Sequence, residues 1–146
     1  MLIKTLVENT SISKDFGSEH GISLYVETKK HKILFDVGAS DLFLQNAKKL
    51  NVNIADVDFL VISHGHYDHG GGLKTFLKEN TKAEVFLHRL TFEKHYAIRP
   101  NDELEFVGLD EDLKQNKQII LTSDRFFINS GIQVFSNIVQ KEPRPK

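Results

Sequence analysis

Three histidines and an aspartate crowd into His64-Gly65-His66-Tyr67-Asp68-His69, between the apolar run Phe59-Leu60-Val61-Ile62 and the glycines Gly70-Gly71-Gly72. An apolar, partly β-branched run that gives way to polar residues and glycines reads as a strand ending in a loop. His64 and His66 are two apart, so in an extended or loosely turned segment their imidazoles lean to one side and share one cation. Asp68 and His69 are adjacent and diverge from that pair, which suits a second cation close by. Neutral imidazole nitrogen and carboxylate oxygen are donors that zinc, manganese and ferrous iron accept in sites that stay open to water or substrate. A lone histidine is more often solvated or hydrogen-bonded than a ligand, but that explanation does not cover four such residues in one hexapeptide. The expectation is a metal site at the carboxyl end of a strand.

Bulk properties narrow the rest. A chain of 146 residues is one domain by length, with room for a real core. The net charge of −1, from 19 basic and 20 acidic residues that are interspersed, leaves no footprint for nucleic acid and no polybasic membrane patch. The expected partner is a small-molecule substrate or another protein. Cysteine is absent, so disulfides, thiolate ligands and cysteine nucleophiles are excluded, which fits a cytoplasmic protein. Met1 to Glu8 is too short and too soon charged for a secretory signal, and no apolar run approaches bilayer length.

Along the chain, Leu2 to Val7 reads as a strand and Asn9 to Gly17 as a loop. Ile22 to Glu27 and His31 to Asp36 read as a hairpin whose second strand delivers Asp36 to its end. Asp36 either caps the turn at Val37-Gly38 or braces the histidine loop from the neighbouring strand. Ser40 suits the N-cap of a helix over Asp41 to Leu50, and a second helix is expected from Leu73 to Glu79. Gly70-Gly71-Gly72 would permit close backbone approach and unusual dihedrals ahead of that helix; no Lys-Ser/Thr follows them as in a phosphate loop. Glu84 to Leu87 is the next strand, which makes a βαβ crossover and puts the cluster where open α/β sheets bind ligands. His88, at that strand's end, reads as a surface or capping histidine, with a substrate-pocket role as the alternative. His95, in the amphipathic stretch Thr91 to Tyr96, reads as an ordinary histidine. Beyond Asp102 the pattern weakens: a short helix or acidic loop over Leu109 to Lys117, a strand over Gln118 to Thr122, and a hairpin turning at Asn129-Ser130-Gly131.

His64-x-His66-x-Asp68-His69 resembles the signature of the metallo-β-lactamase superfamily, and Leu34-Phe35-Asp36-Val37-Gly38 is similar to the motif that precedes it there. Glu19-His20-Gly21-Ile22-Ser23 together with Ser63 to His69 looks like a subfamily of metal-dependent hydrolases that includes a dihydropterin (ribofuranosyl)aminobenzene phosphate synthase. The resemblance implies an α/β (α+β) fold: the N-terminal half of a four-layer αββα sandwich, a mixed sheet flanked by helices. It implies a single incomplete domain over 1–146, with the motif-bearing half at about 1–100, the start of a second sheet at 101–140 and a polar tail at 141–146. It implies a hydrolase, or a related transferase, in which two divalent metals activate water for attack on a carbonyl or phosphorus centre. Zinc is the first choice of metal, and manganese or iron the alternatives. His64 and His66 would hold one metal and Asp68 and His69 the other, with Asp68 also orienting the nucleophile. Asp36, His20 and His88 would stand beside the metals or in the substrate pocket.

The superfamily also draws a further histidine for each metal, and usually a bridging aspartate, from its second half. No histidine follows His95 here. Two protein ligands per cation is one short of the usual catalytic zinc. The expectation is therefore the N-terminal portion of a longer protein, inactive alone, or a non-catalytic binding module that a second chain or segment completes. A sheet face left apolar would favour a homo-oligomer or the missing half as its cover.

Overall fold

The structure is a computed structural model that describes residues 1–136. The polar tail at 141–146 lies outside the described residues. Among the described residues, ten strands and three α-helices follow one another in an order set by short apolar runs and the polar turns between them. Strands β1 (Leu2–Val7), β2 (Ser23–Glu27) and β3 (Lys32–Phe35) form an antiparallel meander. Strands β4 (Phe59–Val61), β5 (Glu84–His88) and β8 (Ile119–Thr122) then continue the sheet in parallel from β3, giving the order β1-β2-β3-β4-β5-β8. This is the mixed sheet flanked by helices that the sequence leads one to expect.

Helix α1 (Leu42–Lys49) crosses from β3 to β4, and α3 (Leu73–Glu79) from β4 to β5. Both bury one stripe, Phe43 and Ala47 on α1 and Leu73 and Phe76 on α3, against Leu34, Leu60, Val85 and Leu87 of the sheet. Ser40 sits one residue before the first cap position and its hydroxyl accepts from the Leu42 amide at 3.2 Å. The buried Asn46 donates to the carbonyls of Leu6 and Gly17, stitching α1 to the first strand. At the other end of the core, buried Asn80 donates to Ile54 O and Val57 O and accepts from the Lys82 and Ala83 amides. It thereby fixes the end of α3 against the entries to β4 and β5.

The opposite face of the sheet is apolar and only partly covered. Phe35 of β3 is 37% exposed, and in the hairpin β9 (Arg125–Asn129) and β10 (Ile132–Phe135) Phe127 and Phe135 are each 62% exposed. Phe126 of that hairpin packs on Phe86 with ring centroids 5.6 Å apart. Of the stretch 101–140 expected to begin a second sheet, the described residues divide: β8 extends the first sheet, while β9 and β10 pair with each other. A further hairpin, β6 (Tyr96–Ile98) with β7 (Leu104–Phe106), has no counterpart in the sequence reading. Its Tyr96, Ile98, Leu104 and Phe106 are all exposed, so burial did not impose the pattern that would reveal it.

The four bonds of Asn80 yield a test. Asn80→Leu leaves buried carbonyls and amides without partners, and should lower stability by about 2–4 kcal/mol, read as a lower urea midpoint. An unchanged midpoint would contradict this role.

Candidate metal centre

The parallel pairing of β3 with β4 sets Phe35 opposite Val61, so the chain leaves both strands side by side at Asp36 and Ser63. Asp36 is fully buried and holds a positive φ of 56°, a conformation that an aspartate adopts only when its surroundings require it. The amides of Val37 and Gly38 donate to His69 O and Ile22 O, so the Asp36 side chain does not cap that turn. Its Oδ1 accepts from the Ser63 amide at 2.7 Å, and its Oδ2 lies 2.6 Å from Ser63 Oγ and 2.7 Å from His69 Nδ1.

These bonds fix two tautomers. A carboxylate only accepts, so His69 carries its proton on Nδ1 and turns the lone pair of Nε2 outward. Ser63 gives its single hydroxyl proton to Asp36, and its oxygen therefore accepts from His64 Nδ1, 2.8 Å away. The His64 lone pair is then also on Nε2. One buried carboxylate prepares two imidazoles to bind a cation, as outer partners of metal-binding histidines do.

Beyond Ser63 the chain turns into a single-turn helix, α2 (Tyr67–Gly70), which displays Asp68 beside the histidines. Ligand atoms of His64, Asp68 and His69 all lie within 4.8 Å of one another. This three-donor set fits a divalent cation and differs from the two-and-two division expected from spacing, because α2 folds Asp68 and His69 back onto His64. The His64 and His69 rings are 4.2 Å apart between centroids. His66 stands outside this trio, its ring 4.7 Å from that of His64 and 5.4 Å from that of His95.

Two more segments close on the loop. His20 Nδ1 is 2.9 Å from Asp68 Oδ2, and Asp68 Oδ2 is 3.6 Å from His69 Nε2. His20 reaches this place because Gly21, at a φ of 134°, presses on the loop: a Cβ there would stand 2.0 Å from Asp68 O. Neighbouring Glu19 accepts from the Ala39 and Ser40 amides and from Ser40 Oγ, tying the same segment to the turn after β3. Gly70, Gly71 and Gly72 take no left-handed dihedrals. They serve close approach alone, since a Cβ on Gly71 would lie 2.4 Å from Ala39 O and one on Gly72 2.5 Å from Val37 O.

His88 is placed elsewhere. Its Nδ1 accepts from the Leu90 amide in the turn that follows β5, and its Nε2 donates to Asp124 Oδ1 at 2.7 Å, which holds the turn between β8 and β9. That bond, and a second from Ser136 Oγ, hold the Asp124 carboxyl below its usual range. His88 shares with His64 a cavity of about 380 Å³ that Arg89, Thr91 and His95 also line. Sequence reasoning passed over Ser63, Glu19 and Asp124 and read His95 as an ordinary histidine; Ser63 and Glu19 lay within motifs already noticed, whereas Asp124 carries no local signal.

The sequence profile of the metallo-β-lactamase superfamily matches residues 19–138. The chain belongs to the metallo-β-lactamase superfamily. Among curated relatives, the 7,8-dihydropterin-6-methyl-4-(β-D-ribofuranosyl)-aminobenzene-5′-phosphate synthase of Methanocaldococcus jannaschii is 33% identical over 96% of this chain and 51% of its own length. An uncharacterized protein of the same organism is 35% identical over 78% of this chain and 43% of its own. A solved metal-dependent hydrolase of the β-lactamase superfamily superposes with a TM-score of 0.69 at 30% identity, over 90% of this chain and 46% of that one. A quorum-quenching N-acyl homoserine lactone lactonase, at 19% identity and a TM-score of 0.55 over 78% of this chain and 49% of that one, shares the fold. The chain spans about half the length of the curated relatives it matches.

Two outcomes follow from the geometry. Asp36→Asn puts a donor where acceptors set both tautomers, and should weaken divalent-metal binding 10–100-fold in a competition titration with a chelator; equal affinity would contradict the role. Burial, and then the like charges of His69 and His66, lower the His64 pKa from 6.5. The folded state therefore takes up this proton less readily than the unfolded chain, so His64 favours folding above 6.5 and that contribution is lost as the pH falls below it. The metal-free urea midpoint should drop between about pH 7.5 and about pH 5.5, and drop less in His64→Gln; equal drops would count against it.

Proposed function

We propose that this chain carries the metal-binding half of a zinc-dependent hydrolase, or a related transferase, that acts on a small cytoplasmic molecule at a carbonyl or phosphorus centre. The observation that supports it best is the trio His64, Asp68 and His69, with its two imidazoles already oriented by Asp36 and Ser63. Two divalent cations, when bound, supply Lewis acidity and lower the pKa of water toward neutrality. Manganese and iron suit the same donors. His64 and His69 offer neutral Nε2 lone pairs, and His66 offers a third imidazole at the loop's exposed edge.

Asp68 has the central role in this reading. Its Oδ2, set between His20 Nδ1 and His69 Nε2, is the oxygen placed to take and hold a proton from an attacking water. His20 steadies that carboxylate from the solvent side. The near-neutral charge disfavours nucleic acid as a substrate. The likeness to the synthase relative supports a finer reading, in which the substrate carries a diphosphate leaving group on a pterin-like ring.

A second reading rests on a separate observation, the apolar sheet face at Phe35, Phe127 and Phe135. On that reading the chain is a binding module, inactive until a second copy or the other half covers the face.

Hydrolysis of p-nitrophenyl phosphates and of lactones by the purified chain separates the two. The enzyme reading expects turnover that a chelator abolishes, that zinc restores, and that Asp68→Asn lowers at least about 100-fold. Turnover indifferent to both would overturn the metal mechanism. No turnover by a monomer, with turnover appearing in an assembled form, would favour the module.

A further inference from the structure

The three histidines of the metal loop are not equally held. Ser63 Oγ faces His64 Nδ1 and Asp36 Oδ2 faces His69 Nδ1, but among the described residues no hydrogen bond reaches the ring of His66. A metal-binding imidazole almost always gives its second N–H to an acceptor that fixes its tautomer and its plane. His66 is exposed, and without such a partner its ring is free to turn.

The nearest imidazole to it outside the motif is His95. The two rings meet edge to face, with centroids 5.4 Å apart and planes inclined at 76°. Nδ1 of His95 is buried and has no hydrogen-bond partner. A buried polar atom left unmatched is costly and marks a place where a partner belongs. The loop is built to admit this ring: a Cβ on Gly65 would lie 2.0 Å from Thr91 O and 2.8 Å from His95 Cε1, so only glycine lets the segment press between His64 and His66. The segment is itself anchored, by buried Phe92 in the core and by the Val107 amide donating to His95 O at 2.9 Å.

We propose that His95 is a positioning residue of the metal centre, whose imidazole orients His66 as Ser63 orients His64 and Asp36 orients His69. The idea rests on the reading of His64, His66, Asp68 and His69 as metal ligands. His95 is not itself among the ligand atoms that converge. It sets the plane of the His66 ring through their edge-to-face contact, and its unpartnered nitrogen is the acceptor toward which the second N–H of His66 would turn. The third imidazole of the loop then faces a cation in one orientation rather than many.

Cobalt(II) serves as the probe, added to the full metal-free chain and followed by its visible absorption against a competing chelator. His95→Phe should bind cobalt 10–100-fold more weakly, with a changed absorption spectrum. His95→Gln, whose amide still accepts a hydrogen bond, should recover part of the loss. The thermal midpoint of the metal-free protein, which a purely structural role would lower, should stay close to that of the unsubstituted chain in the Gln variant. Wild-type affinity and spectrum in His95→Phe would overturn the proposal alone, as would a loss that Gln fails to rescue while the metal-free midpoint falls in step. A wild-type chain that takes up no cobalt would overturn the metal-centre reading and this proposal with it.

Discussion

The site depends first on a buried carboxylate. Asp36 lies where two parallel strands end together, and its charge is removed from water at a cost of several kcal/mol unless it is compensated. Compensation comes from the Ser63 amide, the Ser63 hydroxyl and His69 Nδ1. Each of these donors belongs to the metal loop. The interaction that makes burial of Asp36 tolerable is therefore the one that orients His69 and, through Ser63, His64. Strand register, loop conformation and ligand tautomers are consequences of one another here.

The remaining contacts brace that arrangement from outside. Glu19, His20 and Gly21 bring the loop after β1 against both the turn after β3 and Asp68, joining three separate stretches of chain. α1 and α3 cover one sheet face and leave the site at the carboxyl ends of β3, β4 and β5, where an α/β sheet opens. Among the described residues the other face carries the β9–β10 hairpin, whose Phe127 and Phe135 stay in contact with solvent. That asymmetry agrees with a chain spanning about half the length of its curated relatives, whose own activities belong to the longer proteins.

Much of this was legible in the sequence, and the limits have physical causes. The strands Leu2–Val7 and Glu84–His88 were legible as short apolar runs, and the helix Leu73–Glu79 because it buries Leu73 and Phe76 on one stripe. The metal loop was legible because donor chemistry at fixed spacing needs no tertiary context. Spacing pairs Asp68 with His69 and His64 with His66, and the turn α2 in addition brings Asp68 and His69 to His64, which spacing does not reveal. For Asp36 the sequence left two roles open, since the choice lies in which neighbouring strand it meets. His95 reads as ordinary from sequence because its place beside His66 depends on the close approach of the distant Gly65. The β6–β7 hairpin escaped because its apolar residues are exposed.

The central claim is that this chain by itself assembles a cation site around His64, Asp68 and His69. Metal content per chain, measured by plasma emission on protein purified at low free metal and compared with His69→Ala, tests it most directly. The account predicts at least about one divalent ion per chain, falling steeply in the variant as one of the usual three protein ligands is removed. Protein that carries no metal, or that keeps the same content without His69, would contradict it.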